Sequence, residues 1–393
     1  MIQRDYLIIG SSIGGASACE GIRRHDKRGS ITLIGAEAFP PYKRWILSKS
    51  FLREKSPQLK KLQEFDERWY SAHKIETRFG TVVTQFNIDR RLAVLANGES
   101  IEFNKACLAM GSRPVRPPVA GVGLGNVIYL RTLRDALALK EMANLEKSLM
   151  VVGGGLLACE AAASLRMMKL KVGLMHRDSY LLNRYLDAET GTWLTEYFAK
   201  HGVAMSMGES LNGFEGKTIL RNIQTKSGNR FPVSLAIVAC GAEPNLELVR
   251  NTPLAGPHGS PVNDYLETEE KGIYAVGDLA FYPDRLMGGV RRQTHWENAR
   301  KQGLIAGANM TGKKRIRYEQ IPYFWSEMFD LRMDFVGDFS VLPTRVDLQG
   351  TYAKKKFVAR YYQGEKLRGV LLCHQPPREV ESAKTQLRHA LGK

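Results

Sequence analysis

Asp5-Tyr6-Leu7-Ile8-Ile9-Gly10-Ser11-Ser12-Ile13-Gly14-Gly15 is the stretch on which the fold turns. Asp5 to Ile9 reads as a buried parallel strand, and the segment from Gly14 to about Arg23 reads as the helix that follows it. Glycines between the two let backbone N–H groups and the helix N-terminus approach a pyrophosphate. Ser12 occupies the usual second glycine position, where its small side chain strains a close approach without blocking it. One such turn is a weak signal. A second lies 143 residues further on, where the strand Leu149 to Val152 runs into Gly153-Gly154-Gly155-Leu156-Leu157-Ala158. Gly153 and Gly155 fill the first two glycine positions and Ala158 the third, a variant that still permits helix–strand packing. Glu160 follows on the first turn of that helix. The pattern predicts an α/β chain with two Rossmann-like dinucleotide-binding domains.

The surroundings of each turn strengthen the prediction. A strand from Ser30 to Ile34 puts Glu37 27 residues after Gly10, where a carboxylate suits the hydroxyls of an adenosine ribose. Gly272-Ile273-Tyr274-Ala275-Val276-Gly277-Asp278 delivers Asp278 at a strand end, the edge at which doubly wound sheets bind ligands. A strand from Leu235 to Ala239, followed by Cys240-Gly241, closes the second unit.

Pro40-Pro41-Tyr42-Lys43-Arg44-Trp45-Ile46-Leu47-Ser48-Lys49 resembles the flavin segment of the ferredoxin and rubredoxin reductases, a family that includes apoptosis-inducing factor and monodehydroascorbate reductase. The resemblance covers essentially the whole chain and implies FAD and a nicotinamide nucleotide as cofactors. It implies that Lys49 sits beside the flavin ring, favouring the anionic reduced form, and that Arg44 lies near the cofactor phosphates. The family usually has Pro-Pro where this chain has Trp45-Ile46. Gly80-Thr81-Val82-Val83 resembles the strand that meets the adenine at Val83. Ala109-Met110-Gly111 resembles an Ala-Thr-Gly crossover, with Met110 for the threonine. The resemblance further implies that Arg131 contacts the flavin nucleotide and that Asp278 accepts a hydrogen bond from the ribityl chain. Glu160 would approach flavin and nicotinamide and pair with Lys49. The backbone at Trp296, opening a helix to about Asn309, would face the flavin pyrimidine, which the positive helix end suits. Trp325, in Phe324-Trp325-Ser326, would lie near the isoalloxazine and shape the acceptor face.

Nucleotide choice is read at the end of the next strand, Val172 to Asp178. His176 stands where NADH users of the family carry a glutamate, and His176, Arg177 and Arg184 would attract a 2′-phosphate. The reading leans to NADPH, with NADH left open by Asp178 and Asp187 nearby. The expected division is an FAD-binding domain over 1–117 and 247–320, an NAD(P)-binding domain over 118–246, and a C-terminal α+β domain over 321–393 that reads strand–strand–helix at its end.

Fifty-seven basic against 40 acidic residues give a net charge of +17, which favours acidic partners. The five cysteines are scattered, with no two closer than 52 residues, so neither a zinc site nor a redox disulfide is signalled. Each cysteine reads as a small buried hydrophobe, no metal is expected, and electrons entering the flavin need an external acceptor. No apolar run approaches a transmembrane length. The first strand starts almost at residue 1, leaving no room for a signal peptide, so a cytoplasmic monomer or homodimer is expected. Three functions stay open. The first is reduction of an acidic iron–sulfur carrier, ferredoxin or rubredoxin, which the charge favours. The second is reduction of a small acceptor such as monodehydroascorbate, a quinone or oxygen. The third is redox-gated binding in the manner of apoptosis-inducing factor; nucleic acid is not expected as a partner, because no aromatic-interleaved basic module is present.

Overall fold

The computed structural model describes residues 2–145 and 148–392. The chain forms two compact units. The first comprises Met1–Lys43, Gln58–Arg113 and Glu243–Gln320; the second comprises Arg44–Pro57, Pro114–Ala242 and Ile321–Lys393.

In the first unit five parallel strands lie in the order Ile75–Phe79, Ile31–Gly35, Ile2–Ile9, Ser100–Leu108 and Ile273–Ala275. Leu92–Leu95 and Val83–Asn87 extend the sheet as antiparallel strands beside Ser100–Leu108. The near-continuous apolar run of the first strand follows from burial on both faces. Leu7 and Ile9 join one core cluster while Tyr6 and Ile8 join the other. Helices Ile13–His25 and Trp296–Met310 pack on each other at backbone distance. A Cβ added to Gly303 would stand 2.3 Å from the Gly14 carbonyl oxygen, and one on Gly307 2.1 Å from that of Ala18. Gly21 meets the Leu304 carbonyl in the same way, at 2.3 Å. This glycine seam fixes the middle of the second helix against the N-terminal half of the first, beside the first nucleotide turn.

The second unit holds another parallel sheet, ordered Ala204–Met207, Lys171–His176, Ser148–Val152, Leu235–Val238 and Val127–Ile128. An antiparallel trio, Leu211–Gly216, Leu220–Thr225 and Arg230–Pro232, accompanies it. The C-terminal part is a five-stranded antiparallel sheet ordered Tyr323–Met328, Leu331–Gly337, Lys366–Cys373, Lys356–Gln363 and Arg345–Thr351. Helix Pro377–Ala390 turns Val380, Ala383 and Leu387 into its core. The sequence reading anticipated only the last two strands and the helix. The Tyr323–Met328 and Leu331–Gly337 strands form a hairpin whose turn is Phe329-Asp330, with Phe329 at φ 55°. That turn carries no glycine or asparagine to announce it. The α/β class with two Rossmann-like units and a C-terminal sheet domain is as expected.

The five cysteines correct one expectation. Cys19, Cys107, Cys159 and Cys373 are buried, but Cys240 is exposed. It lies just past the end of strand Leu235–Val238, where the chain leaves the sheet toward Gly241. None of the five forms a disulfide. Among the described residues no helix is long and apolar enough to cross a membrane, and no cluster of His, Cys, Asp and Glu could hold a metal ion.

Candidate functional site

In the first unit the sequence-selected residues converge on the ends of the parallel strands. Gly10 has φ +113°, and a Cβ there would overlap the Ala109 carbonyl, so only glycine fits beneath Ala109. Ser12 caps the Ile13–His25 helix from an extended conformation, yet its side chain makes no capping hydrogen bond. The first N–H groups of the helix, at Gly14 and Gly15, thus stand at the positive end of the dipole without a side-chain cap, the chemistry a diphosphate requires. Glu37 accepts a hydrogen bond from the Tyr42 hydroxyl at 2.7 Å, and Gly80 N–H donates to the Glu37 carbonyl. Thr81 N–H donates to the Gly35 carbonyl, which brings the Gly80–Val83 turn alongside Glu37. Gly111 has φ +69°, and its carbonyl accepts from the Asn245 N–H. Asp278 is buried and accepts from the Ser112 hydroxyl at 2.6 Å. Its neighbour Gly277 donates its N–H to the buried Gln302 side chain. Ser112 and Gln302 were not singled out in the sequence, since nothing there says which hydroxyl or amide reaches a residue more than a hundred positions, or a helix, away.

Trp296 opens its helix as expected, and its indole N–H donates to the Glu64 carboxylate at 2.7 Å. Burial pushes the Glu64 carboxyl above its ordinary range, partly offset by that hydrogen bond. A raised folded-state value means that the folded protein holds this proton more readily than the unfolded chain. Stability from this group is therefore complete below about 4.5 and is lost as pH rises through the folded value. Glu64→Gln keeps an acceptor for the indole and removes the charge. Its Tm should consequently fall less than that of the parent between pH 5 and pH 8; identical profiles would refute the assignment.

The second unit carries the other group. Gly153 has φ +134°, with a would-be Cβ 2.4 Å from the Ala239 carbonyl. Gly155 is different: nothing lies within 4 Å of its would-be Cβ, so the turn is open to an approaching group at this point. Gly155 caps helix Leu156–Met167 without a side-chain hydrogen bond, and Ala158 is buried beneath the turn. Gly241, φ +120°, accepts from the Val115 N–H. His176 leans its ring over Gly154, where a Cβ would meet it at 2.3 Å. The ring lies 3.2 Å from both Asn183 and Asp178. Burial lowers its pKa from the ordinary imidazole range and so favours the neutral ring, partly offset by Asn183 and Asp178. Arg177 and Arg184 are exposed nearby in sequence. Asp187 is occupied elsewhere, capping helix Ala188–Lys200 and accepting from the Tyr361 hydroxyl. Of the acids Asp178 and Asp187, Asp178 is the one that faces the histidine.

Glu160 lies one turn deeper in its helix than the sequence suggested, because the helix begins at Leu156. Its carboxylate accepts from the Lys49 ammonium at 2.9 Å, and both side chains are more than nine-tenths buried. Two hydroxyls complete its shell: Ser48 at 2.5 Å on one oxygen and Ser326 at 2.6 Å on the other. Arg44 donates to the Arg131 carbonyl at 2.7 Å, and the Arg131 N–H is held by Asp135. Trp325, half-buried, meets Trp45 edge-on with centroids 5.7 Å apart and stacks on Tyr323 at 6.0 Å. The tryptophan that replaces the usual proline thus builds a wall with Trp325, and Lys49 lies 5.6 Å over its ring.

A model of the pyridine nucleotide-disulphide oxidoreductases matches residues 4–303. The chain belongs to that family. It is an FAD-dependent NAD(P)H oxidoreductase, and the family's chemistry uses FAD with a nicotinamide nucleotide. A ferredoxin--NAD(+) reductase subunit of a benzene 1,2-dioxygenase system from Pseudomonas putida is 32% identical over 344 residues, covering 88% of this chain and 83% of that protein. The peroxisomal monodehydroascorbate reductase 4 of Arabidopsis thaliana is 30% identical, covering 85% and 72%. Among solved structures, a covalent putidaredoxin reductase–putidaredoxin complex superposes with a TM-score of 0.92 at 28% identity, covering 100% of this chain and 96% of the matched one. The glycine turns, the uncapped helix starts and the open approach at Gly155 fit the phosphates of FAD and of a nicotinamide nucleotide.

Proposed function

We propose that this protein passes electrons from a reduced nicotinamide nucleotide, by way of FAD, to an acidic iron–sulfur carrier protein of the ferredoxin or rubredoxin type. The observation that carries this reading is the buried Lys49–Glu160 pair with no thiol acceptor beside it. Cys159, the adjacent cysteine, is wholly buried and its thiol is pushed far up by desolvation, so no thiolate is available there to take electrons. Bound FAD supplies the chemistry, accepting an electron pair as hydride and releasing electrons singly.

The chain's own residues do the holding. Gly10, Ser12, Gly14 and Gly15 would seat the FAD diphosphate, with Glu37 on the ribose and Val83 at the adenine. Ala109, Gly111 and Asp278 would line the approach to the ribityl chain, and the backbone at Trp296 would face the pyrimidine. Arg44 would lie near the cofactor phosphates, Arg131 would contact the flavin nucleotide, and Lys49 would supply the positive charge that stabilises the reduced ring. Gly153, Gly155, Ala158 and Gly241 would receive the nicotinamide nucleotide. The acceptor would approach past Trp325. We assign 1–117 with 247–320 to FAD, 118–246 to the nicotinamide nucleotide and 321–393 to the acceptor side, with the protein in the cytoplasm.

The +17 charge supports an acidic carrier, because complementary charge raises the encounter rate. Ferredoxin-coupled reduction of cytochrome c should therefore be fast at low salt. It should slow by roughly tenfold or more as ionic strength rises and the Debye length shrinks. A rate indifferent to salt would contradict the carrier reading. The likeness to a monodehydroascorbate reductase favours a second reading, a small acceptor, which fast turnover without any carrier would support.

For the donor we infer NADPH. Arg177 and Arg184 are exposed guanidiniums suited to a 2′-phosphate, and protonation of His176, which burial shifts to lower pH, adds to them in acid. Asp178 and the NAD(+) in the relatives' names weigh the other way. The double variant Arg177→Ala/Arg184→Ala should lose about 10- to 100-fold in kcat/KM for NADPH with little change for NADH. In the parent, the KM for NADPH should fall as the pH is lowered. A parent enzyme that already prefers NADH would overturn the inference.

A further inference from the structure

We propose that Ser48 and Ser326 are positioning residues that clamp Glu160 and, through it, fix the Lys49 ammonium.

Three segments far apart in sequence meet on one carboxylate. Ser48 follows the Arg44–Ile46 helical turn, Glu160 lies in helix Leu156–Met167, and Ser326 sits mid-strand in Tyr323–Met328. Oε2 of Glu160 accepts from Ser48 at 2.5 Å. Oε1 accepts from Ser326 at 2.6 Å and from Lys49 at 2.9 Å. These are the short lengths of hydroxyl donors on an ionised acceptor. The helix grips Ser48 twice, because Ser164, one turn after Glu160, donates its hydroxyl to the Ser48 carbonyl at 2.7 Å. Ser48, Ser164 and Ser326 are all buried, at 4%, 4% and 0% exposure.

Each donor has a separate consequence. With only Lys49 attached, the Glu160 carboxylate could swing about its own χ angles and take the ammonium with it. The two hydroxyls on opposite oxygens fix the carboxylate plane, so the ammonium has one position. Ser326 also belongs to the strand that carries Trp325, so that strand and the ion pair are tied by a direct hydrogen bond. The proposal deepens the reading of Lys49 as the cation for reduced flavin and rests on it for its redox consequence. The clamp itself is testable without flavin.

A cavity of ≈ 190 Å³ lined by Lys49, Arg53, Ser164, Met167 and Arg332 gives a small reagent access to the site. In flavin-free protein, acetic anhydride labelling of each lysine is quantified by mass spectrometry for the parent, Ser326→Ala, Ser48→Ala and Ser326→Thr. Lys49 labelling should rise about tenfold in each alanine variant, the equivalent of one charge-assisted hydrogen bond. It should stay near the parent level in Ser326→Thr, which keeps the hydroxyl. Lys140, held on the Phe51 carbonyl in the same unit, is the control and should not change. Unchanged Lys49 labelling in Ser326→Ala, or an equal rise at Lys140, would overturn the clamp. In flavin-loaded enzyme, Ser326→Ala should also shift the flavin equilibrium tenfold against reduction, about 30 mV for a two-electron couple. A labelling rise without that shift would leave the clamp standing and count against Lys49 as the flavin's cation.

Discussion

Glu160→Ala is expected to destabilise the protein by about 3–5 kcal/mol, one of the largest effects available to a single substitution. The reason is the company Glu160 keeps. Lys49 is 6% exposed and Glu160 9%, so removing the carboxylate strands an ammonium in a site that water scarcely reaches. Two buried hydroxyls, Ser48 and Ser326, lose their acceptor in the same step. Removing both charges is a different experiment. Lys49→Met with Glu160→Leu replaces the pair by apolar groups of similar volume and should recover the part of the loss due to the stranded ammonium, while the Ser48 and Ser326 hydroxyls still lack their acceptor. Urea unfolding of the parent, the single and the double variant measures this. If the single variant lost under 1 kcal/mol, Lys49 would have to escape to solvent, and the buried-pair description would fail. The double variant should fold yet be a poor flavin reductase, which separates stability from chemistry.

Gly303→Val is expected to do comparable damage by a different route. The Ile13–His25 and Trp296–Met310 helices touch through Gly14, Gly21, Gly303 and Gly307, and a Cβ at 303 already overlaps the Gly14 carbonyl and the Ser17 side chain. A branched side chain must push the helices apart. Overpacking of this kind costs about 1–3 kcal/mol and more where backbone must move. The displaced carbonyl belongs to the first nucleotide turn, so FAD retention should fall along with stability. Absorbance of the purified variant, with its Tm, reads both. A variant that kept full flavin and parental Tm would mean the helix contact is softer than the backbone distances imply.

Much of this architecture was legible in the chain because its strongest signals are local. A strand running into Gly10 or Gly153 predicts its own turn, since each glycine has positive φ and a carbonyl where a Cβ would go. Asp278 was legible for the same reason, standing at a strand end a few residues after Gly272. The glycine seam was not. Gly21, Gly303 and Gly307 inside helices look like losses of helix propensity, and only the partner helix explains them. The clamp on Glu160 was hidden differently. Ser48 and Ser326 both stood in quoted motifs, but they lie 112 and 166 positions from Glu160, and a serine does not announce its acceptor. Cys240 misled because burial was read from residue type, whereas its place at the exit of a strand decided its exposure. The Tyr323–Met328 hairpin was missed because its turn is built from Phe329 and Asp330 rather than glycine.

Anaerobic rapid mixing of the purified, FAD-reconstituted protein with reduced nicotinamide nucleotide, followed by ferredoxin, tests the central claim most directly. The visible flavin absorbance should bleach on meeting the nucleotide and return when ferredoxin arrives, with two one-electron carriers consumed per hydride. Protein that stays colourless after reconstitution, or flavin that remains reduced in excess ferredoxin, would contradict the account.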